Sequence, residues 1–276
     1  MGPARSGALP AYWFAKLPNL GDAVAPILLE HVSGVPPVRV SHRYRGKVVS
    51  IGSVLDRVRR GDVVWGTGAL RREPHRTPGV TFLAVRGPLT RELVQEAEVP
   101  EVYGDPAMLL PQVHRGAREI RYEVGLVPHY ADHEAVRSPD PAGVPLIDVT
   151  RPWREVVDRI TACQVILSSS LHGIVVAEAY GIPAVWVAAE GRLVGGDFKF
   201  RDYYLGTGRE APEPARWSQG VARALERTEA PPSLDSEPLV EAWRQWAGPP
   251  SGYARGFRRG SSLQYVAHRQ SHSTGP

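Results

Sequence analysis

Residues 164–188, QVILSSSLHGIVVAEAYGIPAVWVA, constrain the fold more than any other stretch. Gln164 to Leu167 is a short, largely apolar run, the pattern of a strand buried on both faces. Ser168, Ser169 and Ser170 follow; a serine oxygen can accept from the free N–H groups of a helix's first turn. The pattern predicts a helix from about Leu171 to Tyr180, closed by Gly181 in a left-handed C′ position. Ile182-Pro183 then leads into a second strand over Ala184 to Val187. A strand–helix–strand unit makes its two strands parallel and leaves ligand space at their C-terminal ends. His172 stands at the start of this helix, between Leu171 and the side-chain-free Gly173. Free N–H groups and the positive end of the helix dipole favour an anion there. A titratable imidazole beside an anion site is a candidate catalytic arrangement. The plain alternative is that His172 helps cap the turn.

The same alternation runs along the chain. Asn19-Leu20-Gly21-Asp22 opens a helix to about Val32, with Val24, Ile27, Leu28 and Val32 on one face, and Gly34 ends it. Asn19, Gly21 and Asp22 either cap this helix or present an amide and a carboxylate to a ligand. Strands are predicted at Lys47 to Ile51, before Gly52-Ser53, and at Asp62 to Trp65, before Gly66-Thr67-Gly68. Glycine at a strand end lets backbone approach a ligand or a neighbouring strand. A strand over Thr81 to Val85 delivers Arg86 to a helix start that continues through Pro88 to about Ala97. A guanidinium at that place suits bidentate binding of carboxylate or phosphate. Asp105 lies in the next strand-end turn, Gly104-Asp105-Pro106.

Residues 111–122 break the apolar pattern and mark a boundary between two α/β halves with mostly parallel sheets. The expected division is 1–115, 116–247 and a Gly/Ser-rich basic tail, 248–276, expected to be disordered. The second half begins with a strand at Val124 to Val127, followed by His129. A strand at 145–149 and a helix from Trp153 to Ala162 come next. Gly195 to Tyr203, which includes Lys199 and Arg201, reads as a loop. Helices at about 215–228 and 235–247 close the folded part.

Composition excludes several classes. The 276 residues are 42% hydrophobic with 7 Trp, enough to bury sizeable cores. The single cysteine, Cys163, rules out an internal disulfide framework and fits a reducing compartment. No stretch approaches the roughly 20 apolar residues of a membrane span, and the N-terminus lacks a signal-peptide run. A soluble, cytoplasmic protein is expected. The formal charge of +4 comes from Arg255, Arg258, Arg259 and Arg269 in the tail; without them 29 bases face 29 acids. Peripheral attraction of this tail to an anionic membrane surface is one reading. No basic stripe with interleaved aromatics points to nucleic acid. The histidines show no zinc-type spacing, and no metal site is expected.

The order of turns NLGD, IGS, WGTG, RGPLT, YGDPAMLL, GLVPHYAD and SSSLHGIVVAEAYGIP resembles the polysaccharide pyruvyl transferase family over roughly residues 12–205. The KFRDYY segment is most similar to its succinoglycan, or exopolysaccharide, subgroup. The resemblance implies an α/β protein of two Rossmann-like domains facing across a cleft, as in GT-B glycosyltransferases. It also implies transfer of pyruvate from phosphoenolpyruvate to a sugar, usually as a cyclic ketal, on a polysaccharide or its precursor. No cofactor is implied beyond phosphoenolpyruvate as co-substrate; a weakly held magnesium ion stays open. The partner is a saccharide acceptor, with a lipid-linked one among the choices.

His172 is the candidate general acid/base or phosphate partner, and Asp22 and Asp105 are candidates for binding or deprotonating sugar hydroxyls, with a turn-stabilising carboxylate before Pro106 the alternative for Asp105. Many members carry Arg where this chain has Ser170, so anion binding falls to Arg86, the helix N-terminus, Lys199 and Arg201. Asn19, Gly21, Gly66, Thr67, Gly68, His129, Ser169, Ser170, Leu171 and Gly173 complete the expected substrate contacts. Glu178, six residues past His172, is either a further contact or a buried hydrogen-bonding group. Two other classes fit less well. One is a GT-B glycosyltransferase using a nucleotide sugar, with Glu178 as its acid. The other is a non-catalytic saccharide-binding protein.

Overall fold

A computed structural model describes residues 8–136, 143–189, 195–217 and 233–247. The alternation seen in the sequence becomes a mixed α/β fold with parallel sheets. The first sheet has the order β2-β1-β3-β4-β6. Its strands are β1 (Leu9–Tyr12), β2 (Pro37–Arg39), β3 (Val48–Val49), β4 (Val63–Trp65) and β6 (Thr81–Ala84). All its neighbours pair in parallel. The second sheet, β10-β9-β8, is also parallel and comprises β8 (Tyr122–Val127), β9 (Cys163–Ser168) and β10 (Ala184–Trp186). A two-stranded parallel ribbon joins β5 (His75–Arg76) to β7 (Val94–Gln95).

Helix ends follow local chemistry. Helix α1 (Leu20–Ser33) starts at Asn19, whose side chain accepts from the Asp22 N–H, and stops at Gly34 with φ 68°. Helix α5 (Leu171–Ala179) gives way to Gly181 at φ 72°. It is apolar on nearly every side, so it is buried on nearly every side. Helix α4 (Trp153–Thr161) instead buries one stripe, Val156, Val157 and Ile160.

Four expectations change. Helix α2 (Pro88–Leu93) ends short of Ala97, because Val94–Gln95 turns extended to pair with β5 and Glu96 takes a φ of 64°. Residues 145–149 form a single bridge, Leu126 with Leu146, rather than a strand. The loop expected over Gly195 to Tyr203 is helix from Phe198 on: α6 (Phe198–Gly206) forms because Phe200, Tyr203 and Tyr204 recur at helical spacing and bury together. Phe200 stacks on Trp186 of the second sheet with centroids 4.6 Å apart. Ser170 occupies the N-cap position of α5 without a side-chain cap bond. The helix expected at 215–228 lies mostly, and the tail 248–276 wholly, outside the described residues.

One apolar cluster spans both sheets. It joins Leu20, Val24 and Leu28 of α1 to Ile174 and Val175 of α5, and takes in Ala107, Leu109 and Leu110. The 3-10 turn Pro106–Leu109, which leads into the short helix α3 (Leu110–Val113), touches both α1 and α5. The final described helix, α7 (Glu237–Ala247), returns to the first sheet. There Trp243 meets Trp65 at 5.1 Å, and the Trp65 indole N–H donates to Leu239 O at 2.9 Å. Residues just past the carboxyl ends of β3, β8 and β9 come together around one opening.

Candidate active site

That opening is a cleft of about 240 Å³. Residues 19–22, 52–54 and 56–57, with Phe14 and Leu70, line it from the first half of the chain. Residues 129–130 and 170–172, with Val149 and Lys199, line it from the second.

His172 sits at the centre, its side chain 15% exposed. Its Nε2 lies 3.3 Å from Oδ2 of Asp105, which is fully buried. Asp105 Oδ1 is used within its own turn, accepting from the Ala107 N–H at 2.9 Å. Nε2 and Oδ2 are both buried and face each other, and neither has a hydrogen-bond partner among the described residues. The other side of the imidazole rests on Gly21. A Cβ there would stand 2.2 Å from Nδ1 and Cε1. The glycine of NLGD is therefore the seat of the His172 ring. Asp105, expected at a sugar hydroxyl, is instead behind His172 and out of reach of a ligand in the cleft.

Asp22 reaches the cleft from the first turn of α1. The Asn19 side-chain amide donates to its carboxylate, and the Asp22 N–H donates back to Asn19 Oδ1 at 3.1 Å. Burial pushes the Asp22 carboxyl above its ordinary value; the Asn19 bond and the nearby His172 act against this. Lys199, in the first turn of α6, is 8% exposed. Burial first, then the Arg86 charge, pushes its ammonium down to about 8, against a pull from Asp132. Among the described residues Lys199 forms no ion pair, and its Nζ lies 5.1 Å from the centre of the Phe200 ring.

His129 completes the wall. Its Nδ1 accepts from the Ala131 N–H at 3.2 Å, which leaves the proton of the neutral ring on Nε2. Burial, with the charges of Lys199 and His172, pushes this imidazole down to about 4. Ser169 holds the His129 loop from outside the cleft. Its Oγ accepts from the His129 N–H and donates to Asp132 Oδ2, each at 2.9 Å. Ser170 and Leu171 line the cleft directly.

Several expected contacts serve the scaffold instead. Arg86 is fully buried. Its Nε donates to Asp202 at 2.9 Å, Nη1 to Ser53 Oγ at 2.7 Å and Nη2 to Ala69 O at 2.8 Å. It has no fork left for a ligand. Gly68 admits that guanidinium, since a Cβ would meet its Cζ at 2.2 Å. Thr67 Oγ1 donates to Gly52 O at 2.8 Å, and Gly66 abuts the Pro106 ring, so this turn shapes the neighbouring Gly52 turn from behind. Gly173 lets α5 close on the sheet, as its Cβ would strike Ser168 Oγ at 2.3 Å. Glu178 is buried in a bidentate pair with Arg209 (2.9 and 2.7 Å) and accepts from Tyr203 Oη. Arg201 pairs with Glu213 at 2.9 Å, away from the cleft.

Sequence reasoning missed Ser53, Arg57 and Tyr130, all of which line the cleft. Tyr130 adjoins His129, and Ser53 ends the Gly52 turn, so the strand-end rule that found their neighbours applied to them as well. Arg57 lies further along, in a 3-10 turn (Leu55–Arg57) that has no helical or strand periodicity to reveal it.

An α/β fold with a carboxylate-backed histidine and two cationic side chains, Lys199 and Arg57, lining one cleft has the make-up of a transferase. The family model for polysaccharide pyruvyl transferase matches residues 54–190, and the chain belongs to that family. It is 30% identical over 207 residues to an uncharacterized protein of Acanthamoeba polyphaga mimivirus, a match covering 70% of this chain and 72% of the other. It is 28% identical over 169 residues to the succinoglycan biosynthesis protein ExoV of Rhizobium meliloti, covering 59% of this chain but only 48% of ExoV. The chain thus spans about half the length of that relative. No solved structure matches. No described helix is long and apolar enough to cross a membrane. Among the described residues no group of three His, Cys, Asp or Glu is placed to hold a metal ion.

Proposed function

We propose that this chain transfers pyruvate from phosphoenolpyruvate to two hydroxyls of a sugar, closing a cyclic ketal on a polysaccharide or its precursor. The observation that carries this reading is the Asp105-backed His172 facing Lys199 and Asp22 across one small cleft. Phosphoenolpyruvate is a compact anion with a carboxylate and a phosphate. Lys199, Arg57, the His129 Nε2–H and the first-turn N–H groups of α5 supply donors for both. Lys199 and Arg57 take the role that the family's arginine would play at Ser170.

His172 then protonates the methylene carbon, making it a methyl group and leaving cationic character on the central carbon. A sugar hydroxyl adds to that carbon and gives its proton to Asp22, whose burial-raised basicity suits the task. The carbon–oxygen bond to phosphate breaks, and phosphate departs with the proton held by Asp22. The second hydroxyl adds, closes the ring and returns a proton to His172. One hydroxyl proton ends on carbon and the other on phosphate, so the sites are restored.

We also read the two parallel sheets as two Rossmann-like domains in a GT-B-like arrangement, about 1–115 and 116–247, with α7 returning to the first. Phosphoenolpyruvate is made inside cells, which places the reaction in the cytoplasm. The glycosyltransferase reading loses support because its required acid, Glu178, is buried against Arg209.

Calorimetric titration with phosphoenolpyruvate, beside a panel of nucleotide sugars, tests the reading. Saturable phosphoenolpyruvate binding that weakens in Lys199→Ala is the expected result. Binding of a nucleotide sugar with none of phosphoenolpyruvate, even with candidate acceptors present, overturns it.

A further inference from the structure

Ser53 lines the cleft but is bonded only from behind. Its Oγ accepts from Arg86 Nη1 at 2.7 Å. A guanidinium can only donate, so this bond uses Oγ as acceptor and directs the hydroxyl proton away from Arg86. Among the described residues that proton reaches no acceptor, and the Ser53 backbone N–H reaches none either. Arg86 cannot turn aside, because Asp202 holds its Nε and Ala69 O holds its Nη2. A charged donor on Oγ also polarises the O–H and strengthens the bond that it can give.

The turn that carries Ser53 is pinned from the same side. Gly52 O accepts from Thr67 Oγ1 at 2.8 Å and from the Gly68 N–H at 3.0 Å. The Val54 N–H donates to Thr67 Oγ1 and the Leu55 N–H to Gly68 O, each at 3.3 Å. Two neighbours define what a ligand atom at Ser53 meets. Arg57 lies on the same wall, and among the described residues only its Nε is engaged, by Asp56 at 3.1 Å. A Cβ on Gly52 would stand 3.6 Å from Asp22 Oδ1, so the Asp22 carboxyl borders the turn. Two Ser53 donors and a guanidinium suit an oxygen anion. An anion beside Asp22 requires a proton on that carboxyl, and burial already raises it.

We propose that Ser53 anchors the phosphoryl group of the donor: its hydroxyl and its N–H donate to phosphoryl oxygens and hold the phosphate as it leaves. Naming the ligand as donor rests on the pyruvyl-transfer reading; the phosphate contact at Ser53 does not. The phosphoryl end thus lies at the Gly52 turn, beside the carboxyl that hands it a proton. The carboxylate end of the same molecule lies toward Lys199 and the start of α5. Ser53 is a binding residue, and its rigid support is what aims its proton.

Calorimetry on the full chain tests this with three probes: inorganic phosphate, pyruvate and phosphoenolpyruvate. Ser53→Ala should weaken phosphate and phosphoenolpyruvate about tenfold or more, the scale of a hydrogen bond to a charged group, and leave pyruvate unchanged. Ser53→Thr keeps both the acceptor for Arg86 and the donor, and should retain phosphate affinity. Ser53→Ala also strips Arg86 Nη1 of its acceptor, so a second measurement uses the unsubstituted chain. There the Ser53 amide proton should move downfield in the NMR spectrum as inorganic phosphate saturates the site. The proposal is overturned if phosphate fails to bind, if the Ser53 amide does not respond to it, or if Ser53→Ala leaves phosphate affinity unchanged. Weakening of pyruvate in place of phosphate overturns it too, since Ser53 would then hold the carboxylate. Equal weakening of all three probes assigns Ser53 to the scaffold and likewise overturns it. Phosphate that binds and weakens as expected, in a chain that binds no phosphoenolpyruvate, would keep the Ser53 contact and remove the pyruvyl-transfer reading.

Discussion

Gly21 and His172 illustrate residue-scale coupling between distant parts of the chain. Alanine is a better helix former than glycine by about 1 kcal/mol. At position 21, however, its Cβ would stand 2.2 Å from the imidazole. Gly21→Ala is expected to displace the ring, lower kcat at least tenfold and cost roughly 1–3 kcal/mol of overpacking; full activity in a phosphate-release assay would refute this role. Asp105→Asn keeps the turn bond to Ala107 but removes the charge behind His172. Its kcat should fall by up to about 10²-fold, the lower end of what acid–base catalysis contributes. The KM for phosphoenolpyruvate should stay the same, whereas a purely structural role would raise KM and lower stability together. Lys199 sets a pH dependence. Its ammonium titrates at about 8 in the fold against 10.5 ordinarily. On the proposed reading, phosphoenolpyruvate affinity is expected below that value and is expected to fall as pH rises through it. Between the two values the unfolded chain binds more protons, so this group makes the fold more stable as pH rises. Affinity and stability should therefore move in opposite directions, and Lys199→Met should flatten both; titration and unfolding across that range check this.

At the scale of elements, α6 ties the second half of the chain to the first. Asp202 accepts from Arg86 Nε at 2.9 Å, from the Thr90 N–H at 2.8 Å and from Thr90 Oγ1 at 2.6 Å. It thus caps α2 from a helix more than a hundred residues away. Asp202→Ala leaves Arg86 charged and buried without its partner, and should destabilise the fold by roughly 3–5 kcal/mol. Denaturant unfolding measures this, and a loss below about 1 kcal/mol, the range of a surface pair, would count against it. The sequence showed why Arg86 mattered, since it stands at a strand end before a helix. It could not show that the anion waiting there was Asp202 of the protein rather than a substrate. The helix itself was hidden because its glycine-flanked mix of charge and aromatics reads as loop until the burial of Phe200, Tyr203 and Tyr204 is known. By contrast α1 and α5 were legible, because their caps and apolar content are local signals.

For the whole molecule the consequence is a cleft whose two walls come from different halves of the chain. A ligand that contacts both walls binds the folded state alone. Phosphoenolpyruvate at about 100 times its Kd should add ~2.7 kcal/mol and raise Tm by roughly 5–10 °C. Lys199→Ala at the same ligand concentration should show little of this shift; an equal shift would take Lys199 out of the donor site.

Parallel α/β architecture, the strand-end turns, His172 and its helix, and family membership were all readable along the chain, because each depends on neighbours within one supersecondary unit. Long-range geometry decided the rest. It sent Arg86, Glu178 and the Gly66–Gly68 turn into the scaffold. It moved Asp105 behind His172 and brought Arg57 to the cleft. A charged side chain at a strand end has the same local sequence whether its partner is a ligand or a residue from another element. Only the fold determines which of the two lies within hydrogen-bonding distance.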